Sequence, residues 1–229
     1  AVLAEQREQF DRVLIVLEGL YSMDGDIPDL SRAIRLRDRY GAFLMVDEAH
    51  ALGVLGERGL GSWEACGIHP GDVDIWMGTL SKTLSSCGGY IAGSAELIEM
   101  LRYGAPGFVY SVGLAAPMAA AASTALEILK HEPERVAKLQ ANGQHFLKTA
   151  QTHGMDTGYS QGYAVTAVIL GGSVHAVRCS NELLEAGINV QPIIHPAVEE
   201  RKARLRFFLS AAHDSEQIEQ ALDATRQCL

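Results

Sequence analysis

No stretch of the 229-residue sequence reaches the roughly 18 unbroken apolar residues that a membrane-crossing helix needs, so no such span is expected. Cysteine is scarce. The four, Cys66, Cys87, Cys179 and Cys228, are scattered and form no CxxC pair. That argues against a disulfide framework or a cysteine-built zinc site, and it reads as reduced thiols of a cytoplasmic protein. Basic residues are outnumbered, 19 Lys and Arg against 28 Asp and Glu. The resulting net charge of -9 repels phosphate backbones, so nucleic acid is not an expected partner. Internal repeats, low-complexity segments and a signal-peptide pattern are missing as well.

Hydrophobic residues make up 48% of the chain, enough for a sizeable core in one large domain or two smaller ones. An amphipathic helix is expected over "AVLAEQREQF", and "VLIVLE" (13–18) reads as a buried parallel strand. "YSMDGDIPD" has turn chemistry, Asp29 can cap the helix "LSRAIRLRDRYG", and Gly41 can end it. Further strands are expected at "AFLMVDE", "DIWMGTLS" and "GGYIAGS", followed by the helix "AELIEMLRYG". Strands alternating with helices predict an α/β layer with a mostly parallel sheet. After Ser111 the character changes to an Ala-rich helix and then a long helix near 133–153. Beyond it, "AVTAVIL", "INVQPII" and "ARLRFFLS" are strands mixed with helices, which predicts a smaller α+β domain. The expected division is 1–131 and 132–229.

"FLMVDEAH" (43–50) ends an apolar strand in Asp-Glu-Ala-His, four letters that helicases use to hold magnesium at a nucleotide. A nucleotide-hydrolysing enzyme needs GxxxxGK[ST] upstream to wrap the phosphates, and nothing before Asp47 fits. "GTLSKT" (78–83) ends in Lys-Thr but lacks the second Gly and lies downstream. Alone, Asp47 and His50 read as a strand-end cap and a surface histidine. They do not stand alone. Asp47 closes one strand and Lys82 follows the next, and ligands in open α/β sheets bind outside those ends. An Asp and a Lys so placed are two parts that a pyridoxal 5'-phosphate (PLP) enzyme requires. The Lys forms a Schiff base with the aldehyde, and the Asp keeps the pyridine nitrogen protonated.

"EGLYSMDGD", "VDEAHALGVLGERGLG", "MGTLSKTLSSCGGYIAGS" and "ARLRFFLSAAH", in that order, resemble the α-oxoamine synthase family of PLP-dependent fold type I enzymes. The resemblance covers nearly the whole chain. "FVYSVGL" and "INVQPIIHPAV" are most similar to serine-palmitoyltransferase-like members, some of which are built into polyketide synthases. It implies the C-terminal portion of a fold type I large domain plus a small domain, with the N-terminal part of the family's length absent. It also implies a homodimer, an amino acid and an acyl thioester (acyl-CoA or acyl carrier protein) as substrates, and an α-amino ketone as product, usually with loss of CO2. An aminotransferase, and a non-catalytic partner or scaffold subunit, remain as alternatives.

Residue by residue, the resemblance matches Lys82 to the Schiff-base lysine, Asp47 to the pyridinium partner and His50 to the histidine that meets the ring 3-hydroxyl. Lys82 and His50 are the catalytic candidates. Ser22 matches a cofactor-proximal serine, and Thr79 a phosphate-contacting threonine. Ser111 keeps one hydroxyl of a Ser-Thr-Ser run that in some relatives reaches the neighbouring subunit's phosphate, whereas Val112 and Gly113 offer none. Arg206 matches the residue that binds the amino-acid carboxylate, a task suited to a guanidinium fork, although Arg204 lies two residues away. His213 and Glu18 read as structural, and "GVLGERGLG" as a loop shaped for close packing. No metal-ligand cluster is seen.

Overall fold

A computed structural model describes residues 1–229. The chain divides into two compact units, Ala1–Leu20 with Ile27–Pro133, and Tyr21–Asp26 with Glu134–Leu229.

The first unit is built on a four-stranded sheet ordered β1 (Leu14–Glu18), β2 (Phe43–Asp47), β3 (Ile75–Thr79) and β4 (Gly89–Gly93). The first three strands run parallel and β4 joins antiparallel, so the sheet is mostly parallel as the alternation predicted. Helix α1 (Val2–Gln6) is only five residues long and passes into a 3-10 turn, shorter than its amphipathic pattern suggested. Helix α2 (Leu30–Tyr40) starts at Asp29, whose side chain accepts the Arg32 N–H, and ends at left-handed Gly41. Its Leu30 and Ala33 pack on Leu44 and Val46 of β2 and on Val73. Helix α3 (Ser62–Cys66) follows the Gly-rich loop. The remaining helices are α4 (Ala95–Gly104), α5 (Pro106–Val109) and the Ala-rich α6 (Ala116–His131).

Strands buried on both faces were expected, and the structure corrects this. Leu14, Val16 and Phe43 are 46%, 58% and 50% exposed. Side chains alternate across a strand, and α2 covers only the face that carries Leu44 and Val46.

The second unit has a three-stranded antiparallel sheet in the order β5 (Val165–Gly171), β7 (Ala203–Phe208) and β6 (Gln191–Ile193). Helices α7 (Glu134–Thr152), α8 (Ser173–Glu185) and α9 (Ser215–Gln227) supply the rest of its core. That core joins Phe146, Val168, Cys179, Leu183, Leu205, Phe207 and Leu222. Leu205 and Phe207 point inward, so Arg204 and Arg206 stand on the opposite face of β7.

Tyr21–Asp26 belongs to this unit although it directly follows β1 in the chain. Arg204 Nη1 donates to the Met23 carbonyl at 2.9 Å and to Asp24 Oδ1 at 2.6 Å. The Ser160 hydroxyl donates to the Asp24 carbonyl at 2.7 Å, and the Gln161 N–H to the Gly25 carbonyl at 3.1 Å. Gly25 has φ of +74°, and a Cβ there would overlap the Val165 carbonyl oxygen. Only glycine takes this bend without strain.

Candidate active site

In the first unit, three candidates gather at the carboxyl ends of parallel strands. Asp47 ends β2 and is in register with Met77 of β3, and the Glu48 N–H donates to the Met77 carbonyl at 2.7 Å. Thr79 ends β3, three residues before Lys82. The register therefore sets the aspartate beside the strand that delivers the lysine. Asp47 Oδ1 accepts the Ala49 N–H at 2.8 Å, which fixes the carboxylate and leaves Oδ2 available for a donor. His50 is half-buried in the turn that follows, where the Ala51 and Leu52 N–H groups both donate to the Glu48 carbonyl.

Lys82 is exposed, and no carboxylate lies within ion-pairing distance of its ammonium. Its loop is closed by the Ser85 N–H on the Lys82 carbonyl at 2.9 Å and the Ser86 N–H on the Leu80 carbonyl at 2.8 Å. Ser85 is the one non-glycine residue with positive φ, at 49°. Such strain persists where surrounding contacts hold it.

Ser81 is a residue that sequence reasoning missed. Its hydroxyl lies 2.7 Å from the Thr79 hydroxyl, and its N–H donates to Thr79 Oγ1 at 3.2 Å. The available signal was the Thr-x-Ser spacing at a strand end, which puts two hydroxyls side by side.

Glu48 was also passed over. It is 5% exposed, and its carboxylate accepts the Ser62 N–H at 2.9 Å as well as the Ser62 hydroxyl. Burial pushes its carboxyl above the ordinary range, although the Ser62 hydrogen bonds pull the other way. Tyr90 lies over Gly78, where a Cβ would collide with its ring. Burial raises its phenol, and the nearby Glu48 and Asp47 carboxylates add to the rise.

Ser111 stands apart from these groups along the chain. It is exposed between α5 and α6, and its hydroxyl donates to the Val112 carbonyl at 3.3 Å.

The second unit holds Ser22 and Arg206, and it brings them together. Arg206 Nη1 donates to the Ser22 carbonyl at 3.1 Å, and the guanidinium lies over the Phe208 ring at 4.8 Å. Arg204 differs. It is 3% exposed and committed to Asp24, Met23 and the Lys202 carbonyl. Arg204 is thus buried in an ion pair, whereas Arg206 is half-buried beside Ser22 and Phe208. His213 accepts the Ser210 N–H through Nδ1 at 3.2 Å, a loop-shaping role.

The family model of aminotransferases of class I and II matches residues 1–224. The chain belongs to this family. Its relatives are α-oxoamine synthases. An 8-amino-7-oxononanoate synthase of Thermoanaerobacter pseudethanolicus is 40% identical over 223 residues, 97% of this chain and 56% of that protein. One from Symbiobacterium thermophilum is 41% identical over the same shares. Serine palmitoyltransferase of Sphingomonas wittichii superposes with a TM-score of 0.90 at 33% identity, covering 99% of this chain and 57% of the other. A serine palmitoyltransferase of S. paucimobilis, solved with a bound PLP–myriocin aldimine, gives 0.90 at 27% identity, again over 99% and 57%. The fold is therefore the PLP-dependent fold type I, and the chain spans little more than half the length of these relatives.

Proposed function

We propose that the protein takes part in a PLP-dependent condensation of an amino acid with an acyl thioester, from acyl-CoA or an acyl carrier protein, to give an α-amino ketone, usually with decarboxylation. The observation that carries the reading is the pairing of Asp47 and Lys82 at the carboxyl ends of neighbouring parallel strands. The 40% identical 8-amino-7-oxononanoate synthase supports the same choice.

The side chains fit PLP. A carboxylate with one oxygen fixed by a backbone N–H suits a pyridinium, an exposed amine without a counter-ion suits an aldehyde, and two adjacent hydroxyls suit a phosphate. When bound, PLP supplies an electron sink for the α-carbon of an amino acid. Asp47 holds the proton on the ring nitrogen. Lys82 would supply the amine that holds the aldehyde and a base for the α-proton. By the family resemblance, His50 would meet the ring 3-hydroxyl, and Ser22 would be a cofactor-proximal serine. Thr79, whose hydroxyl here donates to the Gly88 carbonyl at 3.2 Å, and Ser81 would turn their hydroxyls to the phosphate. Arg206 binds the substrate carboxylate as a fork. Ser111 is the remaining candidate for phosphate contact across a dimer.

The same reading takes the whole protein as a homodimer and residues 1–131 and 132–229 as portions of a cofactor-binding and a small domain. No helix is long and apolar enough to cross a membrane. The scattered thiols support the cytoplasm as its compartment.

The test is solvent-deuterium exchange at the α-carbon of Gly, Ala or Ser with added PLP, followed by release of CoA from acyl-CoA substrates. Asp47→Asn is expected to slow exchange by about 10²-fold or more, the scale for losing a preorganised electrostatic partner. Conversion of keto acids into amino acids without CoA release would favour an aminotransferase instead. Unchanged exchange in Asp47→Asn would remove the role given to the aspartate.

A further inference from the structure

Lys82 has no ion pair of its own, so its backbone must place it. The next residue does so. The Thr83 hydroxyl donates to the Leu52 carbonyl at 2.7 Å, across 31 positions of sequence. Its methyl sits where a side chain at Gly53 would be, since a Cβ there would collide with Thr83 Cγ2. Gly53 adopts φ of +78°, and its N–H donates to the Gly59 carbonyl at 2.7 Å. Leu52 in turn is fixed to the Asp47 side of the site, because its N–H donates to the Glu48 carbonyl at 3.0 Å.

We infer that Thr83 is a positioning residue: its hydroxyl and methyl lock the loop carrying Lys82 onto the loop that follows Asp47. The two loops then share two ties. One is the β2–β3 register, closed by the Glu48 N–H on the Met77 carbonyl. The other is Thr83 on Leu52 and Gly53. A register alone fixes the strand ends. Two residues, Leu80 and Ser81, separate Thr79 from Lys82, and the second tie removes the freedom they retain. Ser85, left-handed at φ 49°, lies in the same loop, between Thr83 and the start of β4. Thr83 touches no reacting atom in this account and acts through Lys82.

The inference rests on the reading of Lys82 as the PLP lysine, and the experiment separates the two. Thr83→Val keeps shape and removes the hydroxyl, whereas Thr83→Ser keeps the hydroxyl. The first readout needs no cofactor: amide hydrogen exchange of Ser85 and Ser86, which close the lysine loop. Exchange is expected to rise about tenfold in Thr83→Val and to return to within about twofold of the parent in Thr83→Ser. The second is borohydride trapping with PLP. Condensation of the Lys82 amine with the aldehyde releases water, and a hydride makes the bond permanent. Peptide mapping then gives pyridoxyl label on Lys82 relative to Lys130 in the same sample. That ratio is expected to fall about tenfold in Thr83→Val and to recover in Thr83→Ser. General unfolding would also lower the ratio, but it would speed amide exchange throughout β1–β3, so the expected pattern includes parent-level exchange in those strands. Unchanged loop exchange and an unchanged ratio in Thr83→Val overturn the inference. A parent protein that shows no preference for Lys82 overturns the reading of the lysine and the inference with it, even where loop exchange responds.

Discussion

Two residues apart on β7, Arg204 and Arg206 share one face of the sheet and meet different surroundings. Arg204 pairs with Asp24 at 2.6 Å, with its own side chain 4% exposed and that of Asp24 34%. Solvent compensates part of the Asp24 charge, so Arg204→Met is expected to destabilise the protein by about 1–2 kcal/mol in urea unfolding, chiefly through the lost hydrogen bonds to Asp24 and the Met23 carbonyl. Arg206→Lys should stay within about 1 kcal/mol of the parent in stability and weaken amino-acid binding, because an ammonium cannot make the two-point contact. A larger binding loss in Arg204→Lys would reverse the assignment. The sequence alone could not separate these arginines, because their difference lies in Asp24, 180 positions away in the chain. Glu48 offers a second test. Its carboxyl is raised by burial, so the folded state binds more protons than the unfolded state once pH exceeds the ordinary value of 4.5. Its contribution to stability is therefore greatest at low pH and declines as pH rises through the raised folded value. Glu48→Gln lacks that decline. Its stability relative to the parent should accordingly improve between pH 4.5 and pH 7 in paired urea titrations. A relative stability that falls over this interval would mean that the Ser62 hydrogen bonds, not burial, set the titration.

At the scale of elements, local chemistry made α2 readable. Asp29 caps it, Gly41 stops it, and both signals lie in the helix's own sequence. The apolar runs of β1, β2 and β3 were equally readable, and with them Asp47 at the end of one strand and Lys82 in the loop after the next. Which strand faces are covered was not readable, since an apolar run marks β propensity and says nothing about what packs on it. The turn "YSMDGD" shows the other limit. Its Gly, Asp and Ser announce a bend, yet its attachment to the second unit depends on Arg204, Ser160 and Gln161, all distant in sequence. Gly25→Ala tests that attachment. The new Cβ would be driven into the Val165 carbonyl at a backbone conformation that alanine disfavours. The expected cost is about 2 kcal/mol or more, with faster amide exchange in β5. A cost below about 0.5 kcal/mol would show that the segment can shift without loss.

At the scale of the whole molecule, each unit has a core that closes on its own residues. In the first, Leu30, Ala33, Leu44, Val46 and Val73 join α2 to the sheet. In the second, Leu205 is fully buried with Phe146, Val168, Leu183 and Leu222, linking β7 to α7, β5, α8 and α9. Hydrophobic patterning revealed these elements singly. It could not reveal the partition, because an inward-facing leucine looks the same whichever core receives it. The partition has a measurable consequence. Leu205→Ala removes three buried carbons from a close-packed site and is expected to cost about 2–5 kcal/mol. Native-state hydrogen exchange should then accelerate in β5, β7, α7 and α9, which contact the lost side chain's neighbours directly, while the parallel strands β1–β3 keep their parent protection. Their core shares no residue with the one weakened. Equal acceleration in β2 and β7 would show instead that the two cores unfold as a single cooperative unit.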